Sequence, residues 1–140
     1  MKISYREGQV EHPELIGTTQ VSVEPHDSRV DQAIQVIAQK RPDLLKNITV
    51  VRTDLNKNVY GEYNSSTPNT IYLNLKKIEE SVRNNMQGQS DEAIEKEITN
   101  QISLTAVHES GHQTAYTSSK NTSEQPAEEQ ERQFRQMLPK

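Results

Sequence analysis

The chain has 140 residues, of which 31% are apolar, and a mean hydropathy of −0.92, so its core is small and a second independent core has no room. It has no cysteine, no tryptophan and a single phenylalanine, Phe134, which excludes a disulfide scaffold, a thiolate zinc finger, a cysteine protease and a redox dithiol. Sixteen basic against twenty acidic residues give a formal charge of −4 with no basic stripe, which argues against a nucleic-acid partner.

Residues 1–27 carry the weakest pattern. Gly8, Pro13, Gly17 and Pro25 punctuate them, and only Thr19, Val21 and Val23 alternate with polar neighbours as a strand does. The segment reads as a loosely structured arm, a regulatory tail or an edge strand, with one compact domain over 28–140. The first firm element follows. Ser28 stands three residues before Asp31 at capping-box spacing, and Val30, Ala33, Ile34, Ile37 and Ala38 recur with helical period, predicting an amphipathic helix that ends near Arg41 and Pro42.

Three runs rich in β-branched residues and tyrosine come next: Ile48 to Arg52, Val59 to Tyr63, and Thr70 to Asn74. Asn56 and Asn58 offer turn chemistry between the first two, and 64–69 form a polar loop before the third, so a small antiparallel meander is expected. A polar helix from about Leu75 to Asn85 ends before Gly88. A long one follows from Ser90 or Asp91 to about Tyr116, and a last one from about Ser123 to Leu138. This order predicts an α+β fold in which helices pack on one face of a small antiparallel or mixed sheet of three to four strands. No apolar run approaches the roughly 20 residues of a membrane span, and Met1 to Tyr5 opens no secretory signal, so neither a membrane nor export is expected and the cytoplasm is the default location.

One constellation carries chemistry. His108-Glu109-Ser110-Gly111-His112 is an H-E-x-x-H match within the long helix. At about 100° per residue the two imidazoles lie roughly 40° apart, one turn above the other, where they can share one ion. Zinc accepts imidazole nitrogen and, in catalytic sites, takes three protein ligands and leaves a position for water. Glu109 lies roughly 60° from His112 around the helix, so it flanks the metal face as a general base for that water does. Ile94, Ile98, Leu104 and Ala115 flank the same face, so the histidines emerge from an apolar stripe. Gly111 costs about 1 kcal/mol against alanine inside a helix; its position on the packed side predicts close approach of another backbone.

A third ligand must come from elsewhere, and the last helix holds Glu124, Glu128, Glu129 and Glu131. Ala127, Phe134 and Leu138 mark its buried side. Glu124 and Glu131 fall near the middle of that side, Glu128 on its flank, and Glu129 roughly opposite, so Glu129 is set aside. His12 and His26, beside Pro13 and Pro25, read as surface residues. Among Tyr60, Tyr63, Tyr72 and Tyr116 no residue stands out as an oxyanion donor.

The H-E-S-G-H motif followed by Pro126-Ala127-Glu128-Glu129-Gln130-Glu131-Arg132-Gln133-Phe134 resembles the gluzincin zinc metallopeptidases, above all the minigluzincins and the ImmA/IrrE-like peptidases. The similarity extends over about residues 30–138. In those families a helix reading roughly Pro-x-Glu-x-x-Ala-Asn-x-Phe-Ala supplies the third zinc ligand, which by position implies Glu128 as ligand and Phe134 as the buried aromatic, with Glu124 as the fallback ligand. The small Ala of the pattern is Glu131 here, and the Asn or Asp that supports a ligand histidine is Arg132.

The resemblance also implies that Thr70, Ile71, Tyr72, Leu73 and Asn74 form the edge strand that holds an extended substrate above the metal. The expected function is thus a small zinc-dependent metallopeptidase acting on a peptide or protein. In it His108, His112 and Glu128 bind Zn²⁺ and Glu109 activates the zinc-bound water. The rival is a catalytically silent zinc-containing binding or regulatory module of the same fold, or a peptidase held latent by residues 1–27. Oligomeric state is open, because a sheet edge pairs with a second copy as readily as with substrate.

Overall fold

The computed structural model describes residues 3–4, 11–12, 19–23, 26–53 and 58–138. Strands β1 (Ile3–Ser4), β2 (Glu11–His12), β3 (Gln20–Ser22), β4 (Thr49–Arg52), β5 (Gly61–Tyr63) and β6 (Thr70–Leu73) form one mixed sheet in the order β2-β1-β3-β4-β6-β5. Helices α1 (Ser28–Lys40), α2 (Leu75–Asn85), α3 (Asp91–Ser119) and α4 (Gln125–Met137) complete an α+β fold. No helix among the described residues is long and apolar enough to cross a membrane.

The expected meander is not formed. β4 pairs with β6 in parallel, and β5 lies on the outer edge, antiparallel to β6. Burial explains the choice. In β6, Ile71 and Leu73 are both fully buried, whereas Gly61, Glu62 and Tyr63 of β5 are all only half-buried, so the more apolar run takes the interior and the less apolar one the edge. Val21, Val50 and Ile71 are register partners across β3, β4 and β6 and are all inaccessible. Ser22, Val51 and Tyr72, on the other face, are half-buried. One face of the sheet therefore meets the core.

The end of the segment expected to be a loose arm belongs to this core. Val21 and Val23 are 0% and 1% exposed, and β3 has paired strands on both sides. The alternation of Thr19, Val21 and Val23 does form a strand, but one inside the sheet and not at its edge, since its two valines cannot face water cheaply. Of the expected arm, residues 1–2, 5–10, 13–18 and 24–25 lie outside the described residues.

α1 buries Val30, Ala33, Ile34 and Ile37, as its period requires. Its cap is Asp27, not Ser28: the Asp27 carboxylate accepts from the backbone N–H of Arg29 at 2.9 Å, and a charged acceptor at a helix start outcompetes a hydroxyl one residue later. α2 begins on Asn74, which is 1% exposed. Its Oδ1 accepts from Lys77 N–H, while its own side-chain amide and backbone N–H donate to Val59 O at 3.0 Å and Tyr60 O at 2.8 Å. Asn74 thereby ties the start of α2 to the segment leading into β5. α3, capped by Ser90, buries Ile94, Ile98, Ile102, Leu104, Ala106 and Val107 and contacts α1, α2, α4, β5 and β6. α4 is held by Ala127 and Phe134, both at 0% exposure; burying the phenylalanine contributes about 1.5–3 kcal/mol.

Candidate functional site

His108 and His112 leave α3 one turn apart on the face turned to α4, with ring centroids 5.1 Å apart and edges to faces. What brings α4 to them is Gly111. A β-carbon there would lie 2.6 Å from Ala127 Cα, so the absence of a side chain lets two backbones touch, as the sequence predicts. The approach sets the residues just before α4 over the histidines. Glu124 Oε1 lies 3.0 Å from His108 Nε2 and Glu124 Oε2 lies 3.1 Å from His112 Nε2.

The structure therefore gathers His108, His112 and Glu124, with one donor atom from each within 4.8 Å of the others. Glu128, the ligand implied by the family register, is exposed and stands outside this group. The physical reason is phase and lever arm. Glu124 occupies the N-cap position, where the chain enters α4 across the histidines, while Glu128 is already on the flank of the helix. Glu129 is turned away, as expected, and pairs with Arg132. Arg132 thus offers no support to a histidine. His26 pairs with Asp31 at 2.7 Å and takes no part in the group.

Glu131 has a place that the sequence did not reveal. Its Oε1 lies 2.8 Å from His108 Nδ1, and its Oε2 accepts from Arg135 at 3.0 Å. Glu109 is 7% exposed. Burial pushes its carboxyl up to about 7, against the pull of His108 and with repulsion from Glu124, Glu62 and Glu131 adding to the rise. Burial alone would lower His108, but Glu131 and Glu124 hold its protonated form and raise it. Glu124 moves the other way: slight burial is outweighed by the two histidines, which keep its carboxyl low.

These groups line one cleft of about 810 Å³ with Val59, Tyr60, Gly61, Tyr63, Gln101, Leu104, Thr105, Tyr116 and Arg135. β5 forms its sheet-side wall. Gly61 is required there, since a β-carbon would lie 2.7 Å from Thr105 Cγ2 and 3.2 Å from Glu109 Cγ. A glycine inside a β-run is the sequence signal that marks this contact. Tyr63 meets Tyr116 with ring centroids 6.2 Å apart. The sheet edge at the cleft is thus β5 and not Thr70–Asn74, because β6 is paired on both sides, and the hydrogen-bonding groups of Asn74 serve the chain itself.

The donor set fits zinc. Two imidazole nitrogens and one carboxylate are among its usual ligands in a catalytic site, and one donor atom from each of the three residues lies within 4.8 Å of the others. Compared with protein-family models, curated proteins and solved structures, the chain gives no match.

Proposed function

We propose that the chain is a small zinc-dependent peptidase of gluzincin type, with His108, His112 and Glu124 as the ligands. The observation that carries this reading is the convergence of those three side chains beside a buried carboxylate, Glu109, in one cleft. Zinc held there would act as a Lewis acid and lower the pKa of a coordinated water to about 7.

The chain's own groups account for the rest. Glu109, with its carboxyl near neutrality, is suited to take a proton from water at the cleft floor and deliver it to the nitrogen that leaves as the C–N bond breaks. Among the described residues β5 is the outermost strand at this end of the sheet, beside the cleft, and an extended peptide can add to such an edge as a further strand. The Asn74 bonds to Val59 and Tyr60 keep that edge in place.

Elemental analysis of protein purified without added metal is the test of the site. About one zinc per chain is expected, and none would end the proposal. Glu109→Gln should keep the metal and lose hydrolysis of an unstructured protein substrate; undiminished turnover would remove Glu109 from the proton-transfer role.

A further inference from the structure

We infer that Glu131, steadied by Arg135, is a positioning residue that fixes His108 for metal binding; this rests on the metal reading above. A neutral imidazole has one N–H and one lone pair. In His108, Nε2 faces Glu124 and Nδ1 faces Glu131 Oε1 at 2.8 Å. A carboxylate only accepts, so Glu131 keeps the proton on Nδ1 and leaves the lone pair on Nε2, the atom beside the other two donors. Without Glu131 the opposite tautomer becomes available. Its N–H on Nε2 would point at Glu124, and no lone pair would face a cation.

The surroundings suit this role. Glu131 Oε2 is taken by Arg135 at 3.0 Å, so the two oxygens are drawn in different directions and the carboxylate is fixed between them. The Glu131 side chain is 31% exposed against 63% for Glu124, which makes it the better shielded of the two acids on His108. Arg132 is occupied by Glu129 and supplies nothing. Among the described residues His112 has only Glu124 as an ion-pair partner, so the support is particular to His108. Carboxylates that orient a ligand histidine through its second nitrogen raise metal affinity about 10- to 100-fold.

The test is zinc affinity by competition with a chromophoric chelator, together with thermal melting of the metal-free protein, for wild type, Glu131→Ala and the isosteric Glu131→Gln. The expected result, read on chains that are folded without metal, is zinc binding weaker by about 10- to 100-fold in Glu131→Ala and a smaller loss in Glu131→Gln, which still accepts a hydrogen bond, with the metal-free melting lowered only by the loss of the Glu131 contacts to His108 and Arg135. Wild-type zinc affinity in both variants would overturn the inference. So would a loss of affinity no larger than the fall in metal-free stability accounts for, since that is what a merely structural role produces. A wild-type chain that binds no zinc at all would instead overturn the metal reading on which the inference stands.

Discussion

The Cα of Ala127 lies 2.6 Å from where a β-carbon of Gly111 would sit. Two effects oppose each other in Gly111→Ala. Alanine gains about 1 kcal/mol in helix propensity, and forcing atoms into a packed contact costs about 1–3 kcal/mol. Overpacking wins here because the obstacle is backbone and cannot rotate away. The variant should be less stable by up to about 2 kcal/mol in urea unfolding. Because Glu124 lies just upstream of Ala127, the variant should also bind zinc more weakly than its stability loss alone explains, as a zinc titration of the folded variant will read.

Glu124 and Glu128 are four residues apart and separate the structural from the pattern-based ligand assignment. Glu124→Ala should abolish stoichiometric zinc in the purified protein. Glu128→Ala, a change at an exposed site, should keep it and alter stability by less than about 0.5 kcal/mol. The reverse pattern in metal analysis would restore Glu128.

Glu109 gives the metal-free protein a pH-dependent stability. Its folded carboxyl titrates at about 7 against 4.5 for the ordinary group, so between those values the folded state keeps a proton that the unfolded chain has lost. Stability must fall as pH rises through that window and level off above it, by roughly 3 kcal/mol at most. His108, whose protonated form is held up by Glu131 and Glu124 against its burial, adds a loss of the same sign as pH rises through its folded value. Urea unfolding of metal-free Glu109→Gln should therefore show a shallower decline between about pH 5 and about pH 8 than wild type; an equal decline would mean that the carboxyl is not the source.

Arg29 binds three acids from three elements: Asp27 at 2.8 Å, Glu79 of α2 at 3.1 Å and Glu95 of α3 at 3.1 Å. Burial would raise Asp27 and Glu79, but Arg29, joined by Arg83 at Glu79 and by Arg52 at Asp27, outweighs it and holds both below their ordinary values. Their contribution is present above the unfolded pKa values and is lost as pH falls through the folded ones. Arg29→Met, which keeps much of the stem, should cost about 1.5–3 kcal/mol at neutral pH and flatten the acid limb of stability, measured by circular dichroism.

Helix positions were legible because their signals are local. The predicted Leu75–Asn85 is α2 to the residue, since Asn74 caps its start and Gly88, at φ 87°, marks the turn beyond its end. The buried side of α4 was legible too: Ala127 and Phe134 are inaccessible, and phase placed Glu124 and Glu131 near it before the family register pointed to Glu128. Strand partnership was not legible. The runs at Thr49–Arg52 and Thr70–Leu73 look alike whether they pair side by side or enclose a third strand, because a strand's period tells which face is buried and not which neighbour lies beside it. The bond from Glu131 to His108 joins residues 23 apart on two helices, and no local pattern encodes such a meeting.

Glu124 occupies the N-cap of α4 but makes no side-chain bond to the helix it begins, because its two oxygens are turned toward the imidazoles. A short acceptor such as Asp or Ser at that position would satisfy N–H groups of the first turn, at about 1 kcal/mol; Glu124 does not, and serves the histidines instead. The corner between α3 and α4 is consequently fastened from the histidine side, so that, on the proposed zinc reading, release of the ion and fraying of that turn would be coupled.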